Sequence, residues 1–206
     1  MGVNIVSGAT SDLLTVDPTS KAARVSLYAS NGEYLGEKNT YRAATTAVFA
    51  APAGTTPFFA LQGSSSKIIR IQRIRICGLT LTSVAYLNLN LAKYSTAISG
   101  GTPTALTMTP LDSSAPAATA SLVNVYTAAP TAGSKVGDVA TSRTLAQATT
   151  AAAAGIPDDD IIFDFRNIGE PSPVVLRSTS EGIALYFTAA PATAVTMALE
   201  IEWTEE

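Results

Sequence analysis

From Val195 to Trp203 the apolar residues Val195, Met197, Leu199, Ile201 and Trp203 stand two apart, with Thr196, Glu200 and Glu202 between them. A period of two belongs to a strand with one face buried and the other in water. The same period runs through Leu79, Leu81, Ala85, Leu87, Leu89 and Leu91, with Thr80, Thr82, Tyr86, Asn88 and Asn90 on the opposite parity. A helix needs apolar residues three and four apart, so the pattern predicts one long, twisted or bent strand over 79–91. Just before it, in KIIRIQRIRIC (67–77), Ile69 and Ile71 take odd positions and Ile74 and Ile76 even ones. A one-residue slip in a two-residue period calls for a β-bulge near Gln72–Arg73 or for burial on both faces, and the bulge is the simpler of the two.

Shorter extended patterns lie at 23–28, followed by the hairpin dipeptide Asn31-Gly32, and at 105–109, 121–127, 161–165, 174–177 and 183–187. Ser99-Gly100-Gly101 with Pro103, the Pro/Ser/Ala stretch around 112–117, and 128–133 read as turns or linkers. The weakly patterned stretch 33–56 reads as loop with short extended pieces. Ser142 to Ala154 (SRTLAQATTAAAA) is the one helix candidate, because alanine favours helix and Gly155 and Pro157 would stop it. Many strands separated by Gly, Pro, Ser and Asn predict an all-β chain, an antiparallel β-sandwich of jelly-roll type with at most one short helix. Residues 1–19 read as an extended arm and 20–206 as a single domain.

Composition narrows what such a domain does. Of 206 residues, 14% are charged, against about 25% in an average chain. A surface of Ser, Thr and Ala repels neighbours weakly, which suits a subunit that works against other subunits. The net charge of −3 argues against nucleic acid as a partner, since phosphate binding needs clustered Lys and Arg. No stretch is apolar enough to cross a membrane as a helix, and the start lacks the pattern of a secretory signal. The one cysteine, Cys77, gives no disulfide framework and reads as a small buried hydrophobe.

Histidine is absent, which removes the commonest general base, the triads built on it and the usual zinc sites. Ser66-Lys67 is a chance pair. The run Asp158, Asp159 and Asp160 lacks the spacing of a calcium loop and reads as a solvated loop or as a partner for arginines of an adjoining subunit. Arg70, Arg73 and Arg75 form the one local basic face; interleaved with isoleucine, they lack stacking platforms for single-stranded nucleic acid. Ion pairing and protection of a strand edge is the first reading for them, and contact with acidic groups of a neighbouring subunit the second. No cofactor is implied, and an enzyme is not expected. The Tyr86, Asn88 and Asn90 face is the expected place for a subunit contact. Tyr28, Tyr34, Tyr41, Tyr86, Tyr94 and Tyr126 could stack on sugars, although packing is their commoner role.

The run from Lys67 to Gly133, with the ending SPVVLRSTSEGIALYFTAAPATAVTMALEIEWTEE, resembles small structural proteins encoded among the virion genes of tailed bacteriophages. The resemblance covers about the last two-thirds of the chain and is one of texture: Ala/Thr-rich strands closing on Glu-Trp-Thr-Glu-Glu. It implies a many-copy virion component such as a capsid decoration protein, located in the virion, with the major capsid protein as partner. A symmetric homo-oligomer, a trimer first among them, would cover strand edges. A receptor- or glycan-binding module of a tail or fibre is the alternative, and a hydrolase working with acids alone is the third reading.

Overall fold

Strand β4 (Ile69–Leu81) changes phase twice, yet all its large apolar residues reach one core. Ile69 and Ile71, then Ile74 and Ile76, then Leu79 and Leu81 are buried. Two register shifts against β13 (Val195–Glu205) allow this. Gln72 is the extra residue where Arg73 faces Glu202 but Ile71 faces Trp203, and a second extra residue falls between Cys77, opposite Ala198, and Thr80, opposite Thr196. Gly78 there holds φ at +65°, the left-handed conformation that opens a glycine bulge. The first shift is the bulge expected at Gln72–Arg73; the second adds to that expectation.

The computed structural model describes residues 38–148, 160–166 and 174–206. The chain divides into Met1–Lys38 and Asn39–Glu206, and the fold below is that of the second unit. The expected arm, the strand at 23–28, its Asn31-Gly32 turn, residues 149–154 of the expected helix, and Asp158 and Asp159 lie outside the described residues. The remaining strands are β1 (Asn39–Ala44), β2 (Phe49–Ala51), β3 (Phe59–Gln62), β5 (Ala85–Tyr94), β6 (Thr102–Ala105) and β7 (Thr109–Pro110). After them come β8 (Leu122–Ala128), β9 (Lys135–Ala148), β10 (Ile161–Asp164), β11 (Val174–Leu176) and β12 (Gly182–Phe187).

These strands form two antiparallel sheets, as expected of a β-sandwich. In the first sheet the order is β7-β1-β13-β4, with β10 and β11 on the far edge of β4 and β2 pairing β13. In the second it is β6-β8-β3-β12-β5-β9. The sheets join where Thr80 and Leu81 of β4 pair in parallel with Gln147 and Ala148 of β9. Between them, Ile71, Ile74, Met197 and Trp203 of one sheet and Phe59, Leu89, Leu185 and Phe187 of the other share one buried cluster. The strand order shows a sandwich without by itself defining a jelly roll.

Several expectations change. The stretch 79–91 is two strands rather than one: β4 ends at Leu81 in the first sheet and β5 starts at Ala85 in the second. The apolar parity runs across the corner because both strands turn that parity toward the same core. The expected helix is also a strand, since residues 142–148 are the end of β9. Thr144 and Ala146 point inward while Arg143 and Leu145 are exposed, so pairing with β5 overrides the helix preference of alanine. The expected strand at 105–109 is instead the link between two short strands, β6 ending at Ala105 and β7 starting at Thr109. Strand β3, wholly buried, showed no alternation and was not expected. Cys77 is half-buried on the outer face, because the bulge at Gln72 sends Ile74 and Ile76 inward and Cys77 outward.

Part of the second sheet's outer face is covered by its own chain. Ala60, Ala184 and Ala92 lie side by side across β3, β12 and β5. Those three small residues cluster with Ile98, Tyr94 and Tyr126, and the Gln62 amide donates to the Ile98 carbonyl at 2.9 Å. The 95–101 segment therefore lies over this half of the sheet. At the far end of the core, the buried Glu205 carboxylate accepts from the Thr119 and Ala120 backbone amides, the Thr119 hydroxyl and the Trp203 indole. Trp203 stacks on Tyr41 at 5.9 Å between centroids, and the Tyr41 hydroxyl donates to the Pro116 carbonyl. Together they tie the 112–120 crossover between β7 and β8 to the last strand.

Two predictions follow from these contacts. Gly78→Ala should cost about 1–2 kcal/mol from its left-handed backbone alone, because a Cβ there meets nothing within 4 Å. Gly133→Ala, whose Cβ would stand 2.0 Å from the Thr96 carbonyl oxygen, should cost more. Urea midpoints measure both, and an unchanged midpoint for Gly133→Ala would contradict the packing of the 95–101 segment. Glu205→Gln replaces an acceptor oxygen with a donor facing donors, for an expected loss of about 1–3 kcal/mol. Emission from Trp203, the sole tryptophan, should shift as its indole loses that partner.

Candidate functional site

The outer face of the first sheet is a charge lattice set by strand register. Arg42 of β1 faces Glu202 of β13, Glu202 faces Arg73 of β4, and Arg73 faces Asp164 of β10. One row across four strands thus alternates in sign. Arg42 Nη2 reaches Glu202 Oε2 at 2.7 Å, Arg75 Nη2 reaches Asp160 Oδ2 at 2.7 Å, and Arg70 pairs with Glu206. Arg166, just past β10, binds Asp164 at 2.6 Å and lies 3.8 Å from Glu202. Arg42, Arg70, Arg75 and Arg166 therefore pair with Glu202, Glu206, Asp160 and Asp164, while Arg73 stands between Glu202 and Asp164 in register and Glu200 lies 3.8 Å from Arg42. The hydrogen bond to Glu202 raises Arg42, and that to Asp160 raises Arg75.

The expected contact residues Arg70, Arg73, Arg75 and Asp160 all belong to this lattice, in which the arginines face acids of their own chain. The acids of the final strand were legible as its polar face. Which arginine each would meet was not, because that depends on two bulges and on four strands coming together. Asp164 stood in the sequence as an acid just beyond the 158–160 run; Arg42 and Arg166 offered no comparable signal.

The outer face of the second sheet differs. Lys135, Asp138 and Tyr186 form a closed polar group, with Lys135 donating to Asp138 at 2.9 Å and to the Tyr186 hydroxyl at 2.6 Å, and Tyr186 donating to Asp138 at 2.7 Å. Asp138 pushes Lys135 up to about 12, with Tyr186 adding to it, and Lys135 in turn lowers Asp138. Asn90 joins this group, accepting from Thr141 at 2.7 Å and donating to Tyr186. Farther along β5 the surface turns apolar. Tyr86 is 63% exposed, its register partner Leu145 41% and Val84 at the corner 52%. The guanidinium of Arg143, which faces Asn88, lies 4.3 Å over the Tyr86 ring. Such an exposed cation–π contact is worth about 0.5–1 kcal/mol.

Beside Tyr86 opens a cleft of about 170 Å³ lined by Leu81, Ser83, Asn88, Pro191 and Thr193 among others. A second hollow, about 240 Å³, lies between the 44–49 corner and β6. Neither is lined by an ionisable carboxylate, lysine or arginine side chain. Among the described residues, no three histidine, cysteine or acidic side chains gather as a metal site requires. No described helix is long and apolar enough to cross a membrane.

No protein family, curated protein or solved structure matches this chain. The surfaces must therefore be read from their own chemistry. The expected contact residues Tyr86, Asn88 and Asn90 do share one face, but they divide in function: Asn90 is bound into the Lys135 group, while Tyr86 and Asn88 border the cleft. Val84, Arg143 and Leu145 complete that patch. Arg143 and Leu145 escaped the sequence reading because they sat in the expected helix; read with a period of two, they would have stood out.

The lattice makes a pH prediction. Arg166 holds the Asp164 carboxyl down to about 2, chiefly through its hydrogen bonds. Its unfolded value is near 3.9, so its contribution is complete above that and is lost as pH falls through about 2. The side chain is 41% exposed, which limits the effect to below about 1 kcal/mol. Asp164→Asn should lower the urea midpoint at about pH 6, with the gap to wild type closing between about pH 4 and 2. A gap unchanged across that window would contradict the pairing.

Proposed function

We propose that this chain is a structural component of a tailed-bacteriophage virion, a capsid decoration protein that stabilises the particle through subunit contacts. The observation that supports the reading best is the contrast between the two outer faces. One pairs most of its charges within the chain, and the other leaves an aromatic and aliphatic patch in water beside a cleft. A stable protein interface buries about 800 Å² on each partner, with aromatic and arginine side chains enriched at its centre. Tyr86, Arg143, Leu145 and Val84 have that composition. The resemblance of the last two-thirds of the chain to phage virion proteins supplies the partner, the major capsid protein. Self-association as a trimer belongs to the same proposal, since it would cover open strand edges such as that of β6.

The specific observation favouring a glycan-binding module of a tail or fibre is the same tyrosine, exposed beside the hydroxyl and amide groups of Ser83, Asn88 and Thr193. Arg143 weakens it, because a sugar stacks on a ring face and the guanidinium already covers one face of Tyr86.

Mixing purified protein with phage capsids that lack it should give saturable binding at a fixed number of copies per particle, and raise the temperature at which the particles release their genome. Absence of binding would sink the decoration reading. A hit on a glycan array that disappears in Tyr86→Ala would favour the module instead.

A further inference from the structure

We propose that the patch of Tyr86, Arg143 and Leu145, with the cleft beside it, docks an acidic segment of a partner protein, one carboxylate going to Arg143 and an adjacent apolar side chain into the cleft. The inference rests on the assembly role proposed above and names the chemistry of its contact.

Charge is the first argument. On the first sheet, Arg42, Arg70, Arg75 and Arg166 each hold a carboxylate of this chain, and Arg73 stands between Glu202 and Asp164 in register. Among the described residues Arg143 has no such partner; its contact is the Tyr86 ring. The acid on its own strand, Asp138, is engaged by Lys135 and Tyr186. A guanidinium resting on an aromatic face is weakly hydrated and oriented, with its planar donors still able to take a carboxylate in two parallel hydrogen bonds.

Shape and polarity supply the second. Leu81, Leu87 and Pro191 give the cleft apolar lining, and Ser83, Asn88 and Thr193 polar lining. At about 170 Å³ it suits one side chain rather than a free small molecule, whose pockets run about 300–1,000 Å³. Val84, Tyr86 and Leu145 extend the apolar surface around it. A basic segment would meet Arg143 with like charge, and nucleic acid would find one cation where it needs a cluster. An acidic and apolar strand or loop satisfies both halves of the patch.

The test has two arms. In the first, amide shifts of the full chain are followed by NMR during titration with three blocked four-residue peptides that alternate leucine with glutamate, glutamine or lysine. The glutamate peptide should shift Tyr86, Asn88, Arg143 and Thr193 saturably, more weakly as salt rises; Arg143→Gln should remove the response and Arg143→Lys restore part of it. No saturable response, an equal response to the lysine peptide, or an unchanged response in Arg143→Gln would overturn the proposal. In the second arm, Arg143→Glu should weaken binding to capsids lacking the protein at least tenfold while the chain stays folded, its urea midpoint falling only by the small amount that loss of the contact with the Tyr86 ring explains. Wild-type binding that Arg143→Glu leaves intact overturns this contact and spares the decoration role. Wild-type protein that fails to bind capsids yet still responds to the glutamate peptide overturns the decoration role and spares this contact. A concentration-dependent dimer broken by Arg143→Glu would make the occupant a second copy and overturn the acidic partner.

Discussion

The fold depends on keeping every isoleucine and leucine of β4 against one core. A strand of thirteen residues cannot do that with a strict alternation when its apolar residues change parity twice. The two extra residues at Gln72 and at Gly78 absorb the difference. They also twist and bend the strand, and its last two residues pair with β9 and join the two sheets. Without the first bulge Ile74 and Ile76 would face water and Arg73 and Arg75 the core, at a cost no neighbouring contact could offset.

The same bulges decide the electrostatics. Because the shift at Gln72 keeps Arg70, Arg73 and Arg75 together on the outer face, they stand opposite Thr204, Glu202 and Glu200 of the last strand. Arg42 and Asp164 continue the row on either side. Isolated surface ion pairs contribute little, but a register-locked row of alternating sign disfavours any slipped pairing, which would bring like charges together. The lattice thus acts on the specificity of the fold more than on its stability. It also turns what reads in sequence as a basic face into one that is neutral among the described residues.

On the second sheet the low charge of the chain has two separate uses. Three alanines in a row leave room for the 95–101 segment to close over half of the face, with Ile98 seated among Tyr94 and Tyr126. The other half stays open and holds the Tyr86 and Arg143 patch. An abundance of alanine and threonine in the composition therefore reflects close packing in one place and a weakly charged surface in another.

Period-two alternation was enough to read β13, β5 and β12, the class of fold, and the first bulge, because those features are written in the parity of adjacent residues. It also placed Tyr86, Asn88 and Asn90 on one outer face. It did not separate β4 from β5, since both strands turn the same parity toward a shared core and the corner at 82–84 interrupts the pattern only at Ser83 and Val84 before the same parity resumes. Nor could it show that 142–148 is a strand, where an alanine-rich composition concealed an alternation that only pairing with β5 makes binding. Wholly buried β3 had no alternation to read. Which arginine meets which acid, and which one is left with an aromatic ring alone, are matters of register between strands far apart in sequence. The sequence by itself determined which side chains face in and which face out; tertiary structure alone decided their partners, because charge pairing acts between neighbours in space.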